Sequence, residues 1–354
     1  MYGFMKYLCV IWTLILWVSC QRGENIKSLE EMFVDSQELT HERPLSDDMV
    51  WGSPAFLHYV DSSVVVYDNT LDSIFTLIDV RNSYEFLRFG KKGQGVNEFL
   101  QPFSFQNIGE GYRMGVYDVF KHSLFSIDLN AVKARGKESF PLIVRDSMNS
   151  INVIPTIYNT FIGIGFYENE LFRLFNDKGS LKSFFEYPYR DEVERKIPNR
   201  VRGMAYQGTV KSNPAMTKLV YAVRTAPIVF FYNINEDGIN KRCQYAFAYP
   251  EYKTEVSQHS MSAPQSAENK MGFIDSYATD QYVYLLYSGK SYKDMKTKAF
   301  EGSVIYVFDW DGKPVKRLIL DIPIKILCVS ADNSIIYGFA DIPEPTFLEF
   351  KINQ

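Results

Sequence analysis

From Ser53 onward the apolar residues of this chain come in short alternating runs, and no stretch keeps a helical period for long. The clearest run spans Ser303 to Asp321. Val304, Tyr306 and Phe308 alternate with their neighbours, Asp311 and Gly312 interrupt, and Val315, Leu318 and Leu320 resume the pattern. Two antiparallel strands joined by a tight turn are predicted there, because glycine takes the positive φ that a right-twisted ribbon needs at its corner. Comparable apolar runs occur at Ser73–Asp79, Ser123–Asp128, Leu171–Asn176, Ile228–Asn233, Val304–Asp309 and Thr346–Lys351. Polar turns such as Asp177-Lys178-Gly179 and Glu236-Asp237-Gly238 follow, leading into a further strand, as in Tyr84–Phe89 or Leu181–Tyr187. Upstream of most copies a turn introduces another strand: Val64–Tyr67, the run to Tyr117, Phe161–Ile164, Tyr282–Leu285 and Ser334–Tyr337.

Four strands per unit, at a spacing of roughly 40 to 55 residues, is the repeat of a β-propeller blade. Six copies predict an all-β, six-bladed propeller. After the sixth third-strand run the chain has no residues left for an outermost strand. Met32–Leu45, a strand-like stretch ahead of the first full blade, is expected to supply it and close the ring. Two spacings exceed the repeat, and the excess falls in the polar stretches Tyr249–Lys270 and Ser288–Glu301. These read either as surface loops that tolerate insertion or as a binding surface on one rim.

Composition agrees with a large β core: 46% of the 354 residues are apolar, and the 27 Phe and 24 Tyr suit pleated, half-buried surfaces. A net charge of −4 leaves no excess of positive charge to meet phosphates, so nucleic acid is not an expected partner.

The N-terminus reads as a targeting segment. Lys6 precedes an apolar run from Tyr7 to Val18, which ends in Ser19-Cys20 and gives way to polar Gln21–Asn25. That is the anatomy of a signal peptide, too short to span a bilayer comfortably. Leu16-Trp17-Val18-Ser19-Cys20 resembles a bacterial lipobox, with Trp17 where Leu is preferred, which makes Cys20 the lipidation site. Plain secretion and a retained anchor are the alternatives, and Met5 is a second possible start. The expected organisation is a signal peptide over 1–20, a tether over 21–31 and one propeller over 32–354. Cys243 and Cys328 remain after cleavage; both sit in strand-like runs and read as buried free thiols, although an oxidising envelope would permit a bridge.

No motif assembles a catalytic centre. Gly90–Gly95 has glycines but neither Walker spacing nor a following helix; it reads as a crossover between blades, with Glu98 and Phe99 as its anchors. Asp68–Asp72 and Asp309–Gly312 lack the further acids of a calcium loop and read as hairpin turns. His41, His58, His122 and His259 have no ligand-like spacing, so no metal and no cofactor is expected. The charged connection Tyr189–Arg202 reads as a solvated loop or, through Arg190, Arg195, Arg200 and Arg202 beside Tyr206, as an anion-binding rim.

Several stretches resemble the TolB-like six-bladed β-propeller lipoproteins of bacterial envelopes: Gly90–Pro102, Ala205–Gly208 with Pro214 and Lys218–Tyr221, Leu286–Lys290, and Val307–Gly312. The resemblance runs over essentially the whole mature chain. It implies a six-bladed disc and lipid anchoring in the envelope, at the outer membrane on its periplasmic or outer face, and it carries over no catalytic residue. The expected function is a non-catalytic module that binds a protein or carbohydrate partner at a propeller rim. The alternative is an envelope hydrolase or lyase acting on a glycan or lactone at the central axis. Rim aromatics Tyr187, Tyr189, Tyr249 and Tyr252 are candidates for holding a small carbohydrate under either reading.

Overall fold

The computed structural model describes residues 28–46, 49–109, 111–135, 138–257 and 260–353. Cys20, the rest of the targeting segment and His259 lie outside the described residues. The alternating runs form six antiparallel sheets arranged as successive blades. Their innermost strands are Pro54–Val60, Pro102–Gln106, Asn152–Pro155, Gly208–Ser212, Phe273–Ala278 and Ile326–Val329. Each of the six runs read as third strands occupies that place, the hairpin Gly302–Asp309/Pro314–Ile324 of blade five among them. At its corner Gly312 has φ +77°, and a Cβ there would lie 2.1 Å from Cys243 Sγ, so glycine is needed for both backbone and space. Cys243 and Cys328 are free thiols; Cys328 is buried as expected, whereas Cys243 is only half-buried because its strand lies at the outer edge of blade four.

Closure uses the N-terminal stretch more fully than expected. His41–Glu42 pairs antiparallel with Pro345–Lys351 and supplies the outer strand of blade six. Just before it, Ser36–Leu39 pairs in parallel with Pro314–Ile324, the outer strand of blade five, in the register Ser36↔Arg317 to Leu39↔Leu320. The two pairings are linked by geometry. Outer strands of successive blades point the same way, so a segment that completes blade six while still passing blade five must run parallel to the latter's outer strand. Side chains reinforce the seam: His41 Nδ1 lies 3.0 Å from Asp321 Oδ2, and Lys351 Nζ 2.7 Å from Glu42. Leu29 and Phe33 are also buried, Phe33 packing on Tyr306 and Phe308 with ring centroids 4.9 and 5.0 Å apart. Packing against the disc therefore already begins at Leu29, within the stretch read as tether.

Between blades the core is aromatic. Phe75 of blade one lies within 5.2–5.9 Å of Phe89, Phe99 and Phe105, so the crossover residue Phe99 ties blade one to blade two. Glu98–Phe99 adds a short parallel pairing to Lys91–Lys92, and Glu98 folds its carboxylate back onto the Gly95 amide at 2.8 Å. The glycine-rich stretch is thus an inter-blade crossover. Asp68 spends its carboxylate on the backbone amides of Gly52, Ser53 and Thr70 and on the Thr70 hydroxyl, and Asp309 accepts from the amides of Asp311 and Lys313. Both segments read as turns are held as turns. One strand ends earlier than the pattern implied: the fourth strand of blade three is Gly179–Phe184, because Phe185 takes φ +51° and turns the chain out of the sheet.

Leu39 is 2% exposed and His41 only half-buried. Leu39→Ala is expected to lower unfolding stability by about 2–4 kcal/mol, and His41→Ala by under about 1 kcal/mol. Urea unfolding at unchanged m-value measures both; equal effects would show that the seam is not held by its apolar face.

Candidate functional site

The segment following Phe185 folds down over the junction of blades three and four. Pro198 precedes the short helix Asn199–Ala205, where a missing N–H costs nothing. The Asn199 side chain accepts from the Tyr187 amide (2.8 Å) and donates to the carbonyls of Tyr167 and Glu170 (both 3.0 Å). Gly203 lets the helix lie on the Tyr187 ring, which a Cβ would meet at 2.7 Å. The connection that the sequence offered as a solvated loop or a basic rim is mostly solvent-facing from Arg190 to Pro198 and docks through buried Glu194, Asn199, Val201 and Arg202.

The structure places each of the four arginines against carboxylates of this chain. Arg190 meets Glu251 at 2.6 Å, Arg195 meets Glu186 at 3.0 Å, and Arg200 meets Glu168 at 3.0 Å. Arg202, 2% exposed, meets the same Glu186 at 2.6 Å and donates to the Tyr187 carbonyl at 2.5 Å. Tyr206 is fully buried, and its hydroxyl lies 3.0 and 2.9 Å from the two oxygens of buried Glu194, which also accepts from the Arg190 amide. Burial and the Glu194 carboxylate push the Tyr206 hydroxyl far above the usual tyrosine range, so it stays a donor. These residues cross-link the segment.

Beside this element lies a cleft of about 370 Å³ between blades three and four. Phe185, Tyr189, Phe230 and Tyr249 form its accessible walls, buried Tyr187 and Tyr232 belong to its lining, and Glu186, Lys241 and Gln244 supply polar atoms. The guanidiniums of Arg195 and Arg202 both sit 5.3 Å from the Tyr189 ring centroid and steady that wall. Of the rim aromatics singled out by sequence, the fold brings Tyr187, Tyr189 and Tyr249 together here; Tyr252 packs edge-on against Tyr206 instead. Phe230, Lys241 and Gln244 come from the third and fourth strands of blade four, where the sequence shows only ordinary alternation.

A second constellation, unseen in the sequence, lies where the inner strands converge. Lys211 of blade four, Asp275 of blade five, Cys328 of blade six and His58 of blade one act on one another electrostatically. Hydroxyls bridge neighbouring blades around them: Thr209 Oγ1 to Ser276 Oγ at 2.6 Å, and Ser104 Oγ to Asn152 Oδ1 at 2.6 Å. Burial, with a smaller push from Lys211, drives His58 down to about 3, so its imidazole is neutral. Among the described residues no group of three or more His, Cys, Asp or Glu side chains could hold a metal ion. The only signal in the sequence was a charged residue within each of two inner strands.

Tyr206→Phe removes a donor from buried Glu194 and is expected to cost about 1.5–3 kcal/mol. Hydrogen exchange should speed up across 190–206 and not in blade one; uniform loosening would show that the contact does not hold this segment.

Comparison with known proteins agrees with this architecture. No curated protein matches the sequence. Among solved structures, a Bacteroides fragilis protein named as exported is similar with a TM-score of 0.54 and 8% identity, over 90% of this chain and 99% of the other. The luciferin-regenerating enzyme (TM-score 0.48, 11% identity, 89% and 95%) and regucalcin, a calcium-binding protein of Agrobacterium tumefaciens (0.47, 8%, 90% and 95%), are similar more distantly. The profile of the TolB-like 6-blade propeller-like family matches residues 35–332, and with six blades and a ring closed by its N-terminal strand the chain belongs to that family.

Proposed function

We propose that the protein is a lipid-anchored, extracytoplasmic module of a bacterial envelope that binds a carbohydrate in the cleft between blades three and four. The observation that carries this reading is the cleft itself: four accessible aromatic rings around a volume of about 370 Å³, with Glu186, Lys241 and Gln244 beside them. Ring faces suit the apolar C–H faces of a sugar, and the polar side chains suit its hydroxyls. Hydrolysis needs two carboxylates across the bond to be cut. Glu186 is the one carboxylate among the described residues lining the cleft, and Arg195 and Arg202 both clamp it. A binding role fits this arrangement better than turnover. Envelope placement is supported by the apolar run ending at Cys20 and by the family.

The lipidated protein, solubilised in detergent, is expected to retain a subset of envelope-type oligosaccharides on a glycan array. Phe230→Ala and Tyr249→Ala should each weaken retention roughly tenfold, which corresponds to about 1.4 kcal/mol. Retention of no glycan, or retention unchanged in both variants, would remove the cleft from consideration. Turnover of a glycan or lactone would instead favour the hydrolase or lyase reading.

Cys20→Ala is expected to abolish incorporation of a labelled fatty acid and to move the chain out of the membrane fraction. Labelling that persists in the variant would exclude Cys20 as the anchor.

A further inference from the structure

The propeller axis holds charges that the protein does not pair directly. Lys211 is enclosed by the inner strands yet keeps part of its surface accessible, and among the described residues it has neither a hydrogen-bond partner nor a carboxylate within ion-pair distance. An enclosed ammonium without a direct partner is costly, because desolvation is not repaid by an opposite charge. Its nearest opposite charge, Asp275, stands off from it, accepting from the Leu327 amide at 2.9 Å and from the Ser276 amide. Asp275 also keeps part of its surface accessible. His58, 5% exposed, has no hydrogen-bond partner for either ring nitrogen among the described residues. One cationic donor, one neutral imidazole and one acceptor thus converge from blades four, one and five with their polar atoms unspent on each other.

A second observation points to a negatively charged visitor. Arg224 is exposed at the rim where the inner strands of blades four and five begin. Its amide donates to Gln207 and its carbonyl accepts from Gly272, while its guanidinium acts on Asp275 without any ion pair among the described residues. The arginines of the neighbouring 190–202 segment are all paired. An unpaired guanidinium at the mouth and an unpaired ammonium inside form a track that draws anions inward.

We propose that this partly accessible cluster at the axis binds a small hydroxy-carboxylate, its carboxylate received by Lys211 and His58 and its hydroxyl by Asp275. A phosphate is a poorer fit, since among the described residues the inner strands carry a single lysine and no arginine, with no helix N-terminus or glycine nest described beside it. Binding involves no covalent step. Burial and Asp275 push the Cys328 thiol well above its usual range, which keeps it from acting as a nucleophile. The site is independent of the aromatic cleft, and either can fail without the other.

The test is calorimetric titration of the full-length protein in detergent with glycolate, lactate and glycerate, with acetate as the comparison probe. At least one hydroxy acid should bind, acetate should bind at least about tenfold more weakly, and Lys211→Met should abolish the heat. Asp275→Asn should weaken the hydroxy acid while leaving acetate unchanged. No binding by any hydroxy acid, equal binding by acetate, or binding that survives Lys211→Met would overturn the proposal. Should Lys211→Met fail to fold, reductive methylation of the wild-type protein decides. Bound hydroxy acid should slow modification of Lys211 several-fold, and an unchanged rate overturns the proposal as surely.

Discussion

Every β-sheet ends in a row of unpaired amides and carbonyls, and a ring of sheets must satisfy the last of them from somewhere else in the chain. Here the edge of the last blade's third strand, Pro345–Lys351, is met by His41–Glu42, about three hundred residues away. The same segment first runs along blade five through Ser36–Leu39, so one stretch of chain secures two blades. Because strand direction is conserved from blade to blade, neither pairing can form without constraining the other. Folding thereby becomes a long-range commitment, which is slow to make but leaves few open edges once made.

That closure is what allows the inter-blade packing to be so aromatic. Flat rings such as Phe75, Phe99 and Phe105, or Tyr306 and Phe308 with Phe33, fill wedge-shaped gaps that widen from axis to rim. At the junction of blades three and four the filling is incomplete. The chain turns out of the sheet at Phe185 and returns as a docked helix, and the space left between becomes the aromatic cleft. The carboxylates that hold this helix, Glu186 and Glu194, are paired or hydrogen-bonded within the element, so the cleft is rigid on that side and polar only where Glu186, Lys241 and Gln244 reach it.

The axis is built on an opposite principle. The arginines of the 190–202 segment are matched to carboxylates of the same or an adjoining blade; at the centre, Lys211 and Asp275 act on each other without an ion pair. Six inner strands can bring side chains from four blades to one place, but their spacing is set by sheet geometry and not by the reach of any one pair. Polar atoms left unspent at such a point are what the proposed axial site rests on, within a scaffold otherwise devoted to packing.

Much of the architecture was legible in the chain. Alternation fixed each of the six third strands to within a residue or two, Gly312 marked its turn, and the strand-like stretch Met32–Leu45 ahead of the first blade offered a closing strand. These features depend on local pattern and on counting, which a sequence carries directly. The double use of Ser36–Glu42, the burial of Arg202 and Tyr206, the gathering of Tyr189 with Phe230 and Tyr249, and the meeting of Lys211 with Asp275 were decided only in three dimensions. Each joins residues from separate strands or blades, and a one-dimensional pattern holds no record of which side chains a closed ring will bring face to face.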